Sequence, residues 1–510
     1  MSLDFMKRPI GFEDDGSLVA PIGDAVNVQE QRGEVKKVPP TSKGLPFLGH
    51  TLLWFYYMAK PDPLAFLHKY ILPYGEIVTC NMFGKPTVVS VDPEFNKFVL
   101  QNEGRLFKAT YFKSIYDLMG KFSMISVTGD LHRQLHGTAI NLLSNEKLRR
   151  NFMPAIQVVF KQTMVKWEAK EILLQPECKR LLLNVMAKHL LNVSGDEETD
   201  ELCSLMTEFI NGIISVPVEM LGCAYPKALR ARRILNDKFY KLMDERKINP
   251  CEDLLSKLVN EENLPKEIMA DFLLILLGAS YETATRTMTL AIHFLSHSNE
   301  ALVQLMEEHE TIQKHKGDEE LQWEDYKKMK FTQCYFYYLL LANFIGHETA
   351  AKSTLCVGKF PEINLVINEV LRLSGICVGL IRETTENVIA KGGYVIPKGW
   401  GVMTFFLSVH LNGKFYNDPL KFNPWRWQAN DKEELLWKNY DMLFSPFGGG
   451  RRLCPGADLA RMSISFFLHY FVTKFRWEIV KEGRITFFPI PHLKGDFSVH
   501  LFAKRTTSVE

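Results

Sequence analysis

A ten-residue run near the C-terminal end limits the fold more than any other part of the chain: Phe447-Gly448-Gly449-Gly450-Arg451-Arg452-Leu453-Cys454-Pro455-Gly456. Its glycines let the backbone come close to a bulky planar group. The loop delivers a cysteine to the start of a helical pattern that runs from Asp458 to Thr473. There the positive end of a helix dipole favours thiolate, the form that ligates a metal. Arg452, two positions before the cysteine, can neutralise an anionic group on the same cofactor. A glycine turn with a buried cysteine is the bland reading of a bare G-x-x-C. The full ten-residue arrangement argues against it.

The rest of the chain supplies a large helical body for this loop. Segments 93–103, 145–168, 176–193, 197–214, 227–247, 265–297 and 299–315 carry apolar residues at three- and four-residue intervals, which predicts helices. Residues 76–92 read as a hairpin turning at Gly84-Lys85-Pro86, and strand character returns at 388–396 and 485–503. The expected fold class is mainly α with a small β part (α+β), in one large helical domain over 37–505. Residues 1–36 are polar and read as a disordered leader without a membrane anchor, and 506–510 as a tail. The early apolar stretch Leu52–Tyr57 and the later one Tyr335–Ile345 are both shorter than the ~18 residues of a spanning helix. The 510 residues carry a formal charge of only +2, which argues against a nucleic-acid partner. Nine cysteines without a CxxC pair argue against a zinc site or a secreted disulfide frame.

Two further motifs bear on chemistry. Glu369 and Arg372 are spaced i,i+3 on an apolar helix, so their charges share one face; such pairs are common at surfaces and worth little there. In 266–296, Ala279-Ser280-Tyr281-Glu282-Thr283-Ala284 places an acid beside a hydroxyl just after the wholly apolar Leu273–Leu277. No packing reason for that acid is visible in the sequence.

The cysteine loop resembles the haem-binding signature of the cytochrome P450 family, F-x-x-G-x-R-x-C-x-G. Phe447, Gly450, Arg452, Cys454 and Gly456 match its fixed positions. The resemblance covers about residues 38–505 and implies the P450 fold, a single helical domain around a buried haem b (iron protoporphyrin IX). It makes Cys454 the proximal iron ligand, whose thiolate favours O–O cleavage. It has Phe447 shield the sulfur and Arg452 pair with a haem propionate. Arg382, His132 and His136 become further haem contacts, with His136 standing where arginine is usual. Glu369, Arg372 and Arg426, the last within Phe422–Trp427, become a structural cluster behind the haem. Glu282 and Thr283 match the acid and threonine that steer protons to iron-bound oxygen. Ser280 replaces the motif's glycine and Ala284 its second threonine, which puts the usual local kink in question.

The same resemblance implies a monooxygenase that inserts one atom of O₂ into a C–H bond. Electrons would come from NADPH through a separate flavoprotein reductase, since no GxGxxG fingerprint is present. LPFLGHTL (45–52), IPKGW (396–400) and FNPWRW (422–427) are similar to the plant clan that oxidises brassinosteroids and related terpenoids, so a rigid apolar isoprenoid is the expected substrate. Leu106–Ile125, Phe209–Pro217, Leu276–Thr283 and Gly375–Leu380, with Phe107, Tyr111 and Phe112, are the expected substrate lining. Family members sit on the cytosolic face of the endoplasmic reticulum membrane, so peripheral membrane contact is expected even without an anchor. Residues 335–365 interrupt the family pattern and read as an in-frame retained intron or a surface loop. Two rival functions follow: a catalytically impaired, haem-poor product of a faulty gene model, and a haem isomerase or dehydratase that needs no reductase.

Overall fold

A computed structural model describes residues 37–45, 49–213, 215, 223–261, 264–317, 319–332, 365–428, 440–487 and 491–504. The expected leader, the C-terminal tail and nearly all of 335–365 lie outside these residues. From Val38 onward the chain forms one unit, and helix dominates it, as the apolar periodicity predicts.

The hairpin pairs β1 (Ile77–Met82) with β2 (Lys85–Ser90). Its turn is Phe83-Gly84, both at positive φ (56° and 78°), and not Gly84-Lys85-Pro86. Two left-handed residues match the twist of the flanking strands. Asp92 then starts α1 (Pro93–Gln101): its carboxylate accepts the Phe95 N–H at 2.6 Å, and Pro93 supplies a preset φ in the first turn. β3 (Phe107–Ala109) and α2 (Gly129–Leu142) follow. A short β4 (Glu171–Leu173) leads into α3 (Leu174–Leu191), α4 (Asp196–Ile213) and α5 (Ala224–Ile248).

The central element is α6 (Lys266–Ser296). Among the described residues it is the one helix long and apolar enough to cross a membrane, a length that the short apolar stretches noted above do not suggest. Most of its apolar window is buried by protein, against α3, α4, α5 and later helices, so it is the core of the body. Ser280 does not break it: the Ser280 hydroxyl donates to the Leu277 carbonyl at 2.9 Å and the helix runs on.

After α7 (Asn299–Lys316) comes α8 (Val366–Ser374), ended by Gly375 at φ 56°. β5 (Leu380–Thr384) and β6 (Gly401–Thr404) complete a five-stranded sheet in the order β1-β2-β6-β5-β3, with β2 and β6 parallel. α9 (Ala457–Lys474), β7 (Phe475–Lys481), β8 (Arg484–Thr486), β9 (His492–Lys494) and β10 (Ser498–Ala503) close the chain. The expected strand 485–503 is thus three short strands.

α8 carries the cluster that ties the body to the cysteine loop. Glu369 and Arg372 are fully buried and Arg426 nearly so. The Arg372 Nε and Nη2 donate to the two Glu369 oxygens at 2.9 and 2.8 Å, and the Arg426 Nε donates to Oε1 at 3.0 Å. The Asn423 N–H and Trp427 indole complete the carboxylate's shell. The arginines' remaining arms hold the carbonyls of His410, Asn417, Asp418, Pro419 and Lys421. The His410 Nε2 in turn accepts the Ser445 N–H at 3.1 Å, two residues before Phe447. That bond needs a neutral ring; burial first and Arg372 second hold the His410 pKa near about 3.

The chain on either side of 333–364 meets itself. The Phe331 carbonyl accepts from the N–H groups of Leu365 and Val366 at 3.2 and 3.1 Å, and Thr332 O accepts from Ile367 N at 3.3 Å. Leu365 is buried and its carbonyl accepts the Glu369 N–H, so it belongs to the start of α8. A variant lacking residues 335–364 is therefore expected to keep its thermal unfolding midpoint within a few degrees, because the linkage it closes is already made. Glu369→Ala leaves two buried guanidinium groups without their anion and is expected to cost about 3–5 kcal/mol in urea unfolding.

Candidate haem-thiolate site

The cysteine loop folds as its glycines require. Gly448 and Gly450 take φ of 74° and 63°, and a Cβ on Gly450 would lie 2.1 Å from the Leu100 carbonyl oxygen. The Cys454 N–H donates to the Phe447 carbonyl at 3.1 Å, closing the loop. The Phe447 ring lies under the Arg461 guanidinium at 5.0 Å, and Arg461 reaches Asn368 on α8 at 2.9 Å. A Cβ at Gly456 would stand 3.9 Å from the Cys454 sulfur, an ordinary van der Waals contact. Burial pushes the Cys454 thiol above its ordinary pKa, against the Gly456 N–H that pulls it down. Yet the residue itself is exposed. It keeps accessible surface although its own loop is closed by the bond to Phe447.

Arg382 and Arg452 converge on one carboxylate, Glu103, all from different elements. The Arg452 Nε donates to Glu103 Oε1 at 2.8 Å, and its other arms hold the carbonyls of Met124, Ile125 and Val127. The Arg382 Nε forms an ion pair with Glu103 Oε2, but neither atom makes an aligned hydrogen bond. Buried arginine donor capacity is thus left over, as an incoming carboxylate would require. His132 is buried beside them; desolvation first, then Arg452 and His136, lower its pKa to about 4, so it is neutral near pH 7. The His136 Nε2 is 2.9 Å from the Leu453 carbonyl, so it braces the cysteine loop from α2.

A short accessible stretch interrupts the buried α6. Ala279 is exposed and Ser280 and Thr283 are half-buried, in mid-helix between fully buried flanks. The Thr283 hydroxyl donates to Ala279 O at 2.8 Å, which leaves its lone pairs on the open side. Glu282 does not share that face. It is buried and paired with Lys179 of α3 and with Arg286 one turn on. This is the packing reason that the sequence did not show. The half-buried run Ile376–Leu380 and Tyr111 line the expected region. Phe107 does not: it is fully buried among Val88, Phe95 and Val402. Phe112 packs on the Phe83 ring at 4.2 Å. Residues 216–217 lie outside the described residues.

An accessible cysteine in a glycine loop, an accessible Ala279 and a half-buried Thr283 in mid-α6, and buried arginine donor capacity beside Glu103 suit an anionic metal cofactor held by a thiolate. The Cytochrome P450 family model matches residues 39–336 and 351–497. The chain belongs to the cytochrome P450 family. It is 43% identical over 91% of its length to Cytochrome P450 720B2 of Pinus taeda, with 91% of that protein covered. It is 41% identical to the abietadienol/abietadienal oxidase of Pinus taeda, with 92% of each chain covered. The cholesterol 22-hydroxylase CYP90B27 of Paris polyphylla is 36% identical over 90% of both. Among solved structures, the retinoic acid-bound cyanobacterial CYP120A1 superposes with a TM-score of 0.76 at 24% identity, covering 92% of this chain and all of the other. This P450 is a haem-dependent monooxygenase whose cofactor is haem b.

Glu103, Lys179 and Arg286 were not singled out from the sequence. Arg286 carried a signal, an i,i+4 match to Glu282. Lys179 and Glu103 carried none, because their partners are distant in sequence. Glu103→Gln is expected to destabilise the apoprotein by about 3 kcal/mol or more, since two buried arginines lose their anion. Added hemin should stabilise this variant by more than it stabilises the unaltered protein, because propionates restore the anionic charge. Equal increments in thermal shift would show that the network does not face the propionates.

Proposed function

We propose that this P450 hydroxylates or oxidises a rigid polycyclic isoprenoid, of the resin-diterpenoid or sterol kind, with electrons from NADPH delivered by a separate flavoprotein reductase at the endoplasmic reticulum membrane. The observation that carries the chemistry is the accessible Cys454 in its glycine loop, joined by the accessible Ala279 and half-buried Thr283 in the middle of the otherwise buried α6. The substrate class rests on the Pinus taeda diterpenoid oxidase and on the steroid hydroxylases, which this chain resembles over nine-tenths of its length. Identity is higher to the former, which favours a diterpenoid over a brassinosteroid-type sterol.

Haem held by Cys454 supplies the activation of O₂ and the oxidising power for a C–H bond. The protein does the remainder. Arg382 and Arg452 would hold the carboxylates of that group. The glycine loop, braced by His136, sets the sulfur's position. Thr283 Oγ1 holds a proton-exchanging hydroxyl at the open face, its own proton tied to Ala279 O. Glu282 carries a carboxylate on the next helix face, neutralised by Lys179 and Arg286. To move a proton toward Thr283 it must loosen one of these partners. The half-buried apolar segment Ile376–Leu380 excludes water and offers a flat wall to a ring system.

The purified holoprotein should show a low-to-high spin shift on titration with abietane alcohols at lower concentration than with cholesterol. A sterol preferred over every diterpenoid would overturn the order proposed. With reductase and NADPH, Thr283→Ala should keep NADPH consumption while product falls about tenfold or more. Product formed without NADPH and unaffected by Thr283→Ala would point to the isomerase or dehydratase reading.

A further inference from the structure

We propose that His293, His297 and Glu482 form a binding site for a divalent transition cation of the zinc class, which clamps the C-terminal end of α6 to the turn between β7 and β8. One ligand atom from each of the three side chains lies within 4.8 Å of the other two. His293 and His297 are spaced i,i+4, so both rings leave the same helix face, with centroids 4.7 Å apart. Thr283 lies ten residues earlier on the same helix, about 15 Å along its axis. The cluster is therefore separate from the candidate haem site.

Donor chemistry makes the cluster more than a surface ion pair. The His297 Nδ1 is 2.7 Å from the His293 carbonyl and can only donate to it, which places the lone pair of a neutral ring on Nε2. That Nε2 lies 2.9 Å from Glu482 Oε1. A lone pair and a carboxylate oxygen at that distance repel unless a proton or a metal ion stands between them. His293 packs edge-on against the Phe497 ring. Its Nδ1 is buried with no hydrogen-bond partner among the described residues. The last turn of α6 adds the negative end of the helix dipole, which favours a cation. Lys481, the basic neighbour of Glu482, is turned to Asp496 at 3.5 Å.

Two imidazoles and one carboxylate select zinc-class ions over magnesium or calcium. Ligand atoms around tetrahedral zinc are about 3.4 Å apart, so the widest pair must close by up to about 1.4 Å while the 2.9 Å pair His297–Glu482 opens slightly. The exposed side chains of His297 and Glu482 can supply that by rotation, and they leave a fourth position for water. Bound metal would hold the end of the helix that carries Thr283 against the C-terminal strands, and so stabilise the fold.

The test uses untagged, EDTA-treated holoprotein titrated with Co²⁺ and Zn²⁺. One equivalent of Co²⁺ should give tetrahedral d–d absorption, and Zn²⁺ should raise the unfolding midpoint. The variants H297A and E482A, altered at exposed positions, should each weaken binding at least about tenfold, with an unchanged Soret band. H293Q should do the same. Binding to H297A as tight as to the unaltered protein would overturn the proposal, as would no saturable binding below 100 μM metal. The Soret band reports the haem site separately, so failure here leaves the haem reading standing.

Discussion

The buried carboxylate of Glu369 is the interaction on which the site depends. Two guanidinium groups, an indole and a backbone N–H converge on it, all inside the protein. Desolvation alone would drive this carboxyl toward its neutral form; Arg372 and Arg426 outweigh it and keep the pKa below the usual carboxylate range. The arginines spend their remaining donors on carbonyls between His410 and Lys421, and His410 passes the constraint to Ser445. Arg461 makes a second link, from Asn368 on the same helix to the Phe447 ring. A loop that must present a sulfur at a fixed distance from a cofactor is thus held by charge-assisted hydrogen bonds from the helix behind it, in a medium where leaving any of them unmade is expensive.

Charge balance at the haem edge follows a related logic with a different outcome. Glu103 sits between Arg382 and Arg452, so the protein alone is not left with two bare buried cations. The balance is incomplete, since Arg382 makes an ion contact without an aligned hydrogen bond. A site built to receive a dianion benefits from this. The arginines are held in place before the cofactor arrives, and Arg382 retains donor capacity for it. On α6, by contrast, Glu282 is fully compensated by Lys179 and Arg286, while Thr283 is half-buried beside the accessible Ala279. The helix keeps its ionisable group on the packed face and only a hydroxyl on the reactive one.

The long helices were legible because each buries a continuous apolar face against neighbours, and that leaves a three- to four-residue period in the sequence. α6 was predicted within one residue at either end. Strands fared worse. Leu380–Thr384 and Gly401–Thr404 are short, and their strand state depends on pairing with each other and with partners hundreds of residues earlier. The turn of the hairpin was misplaced by its proline: Pro86 sits inside β2, and the left-handed positions fall on Phe83 and Gly84.

The cysteine loop, its glycines and the Glu369–Arg372 spacing were determined by sequence alone, because their chemistry is local: a turn needs its glycines, a metal its thiolate, a helix face its i,i+3 pair. Which charge meets which was decided only by the tertiary structure. Glu103 meets Arg382 and Arg452, Glu282 turns to Lys179, His136 braces Leu453, and His297 faces Glu482, each across a gap in sequence that no period spans. Electrostatic partners are chosen by proximity in a low-dielectric interior, and proximity exists only once the chain has folded.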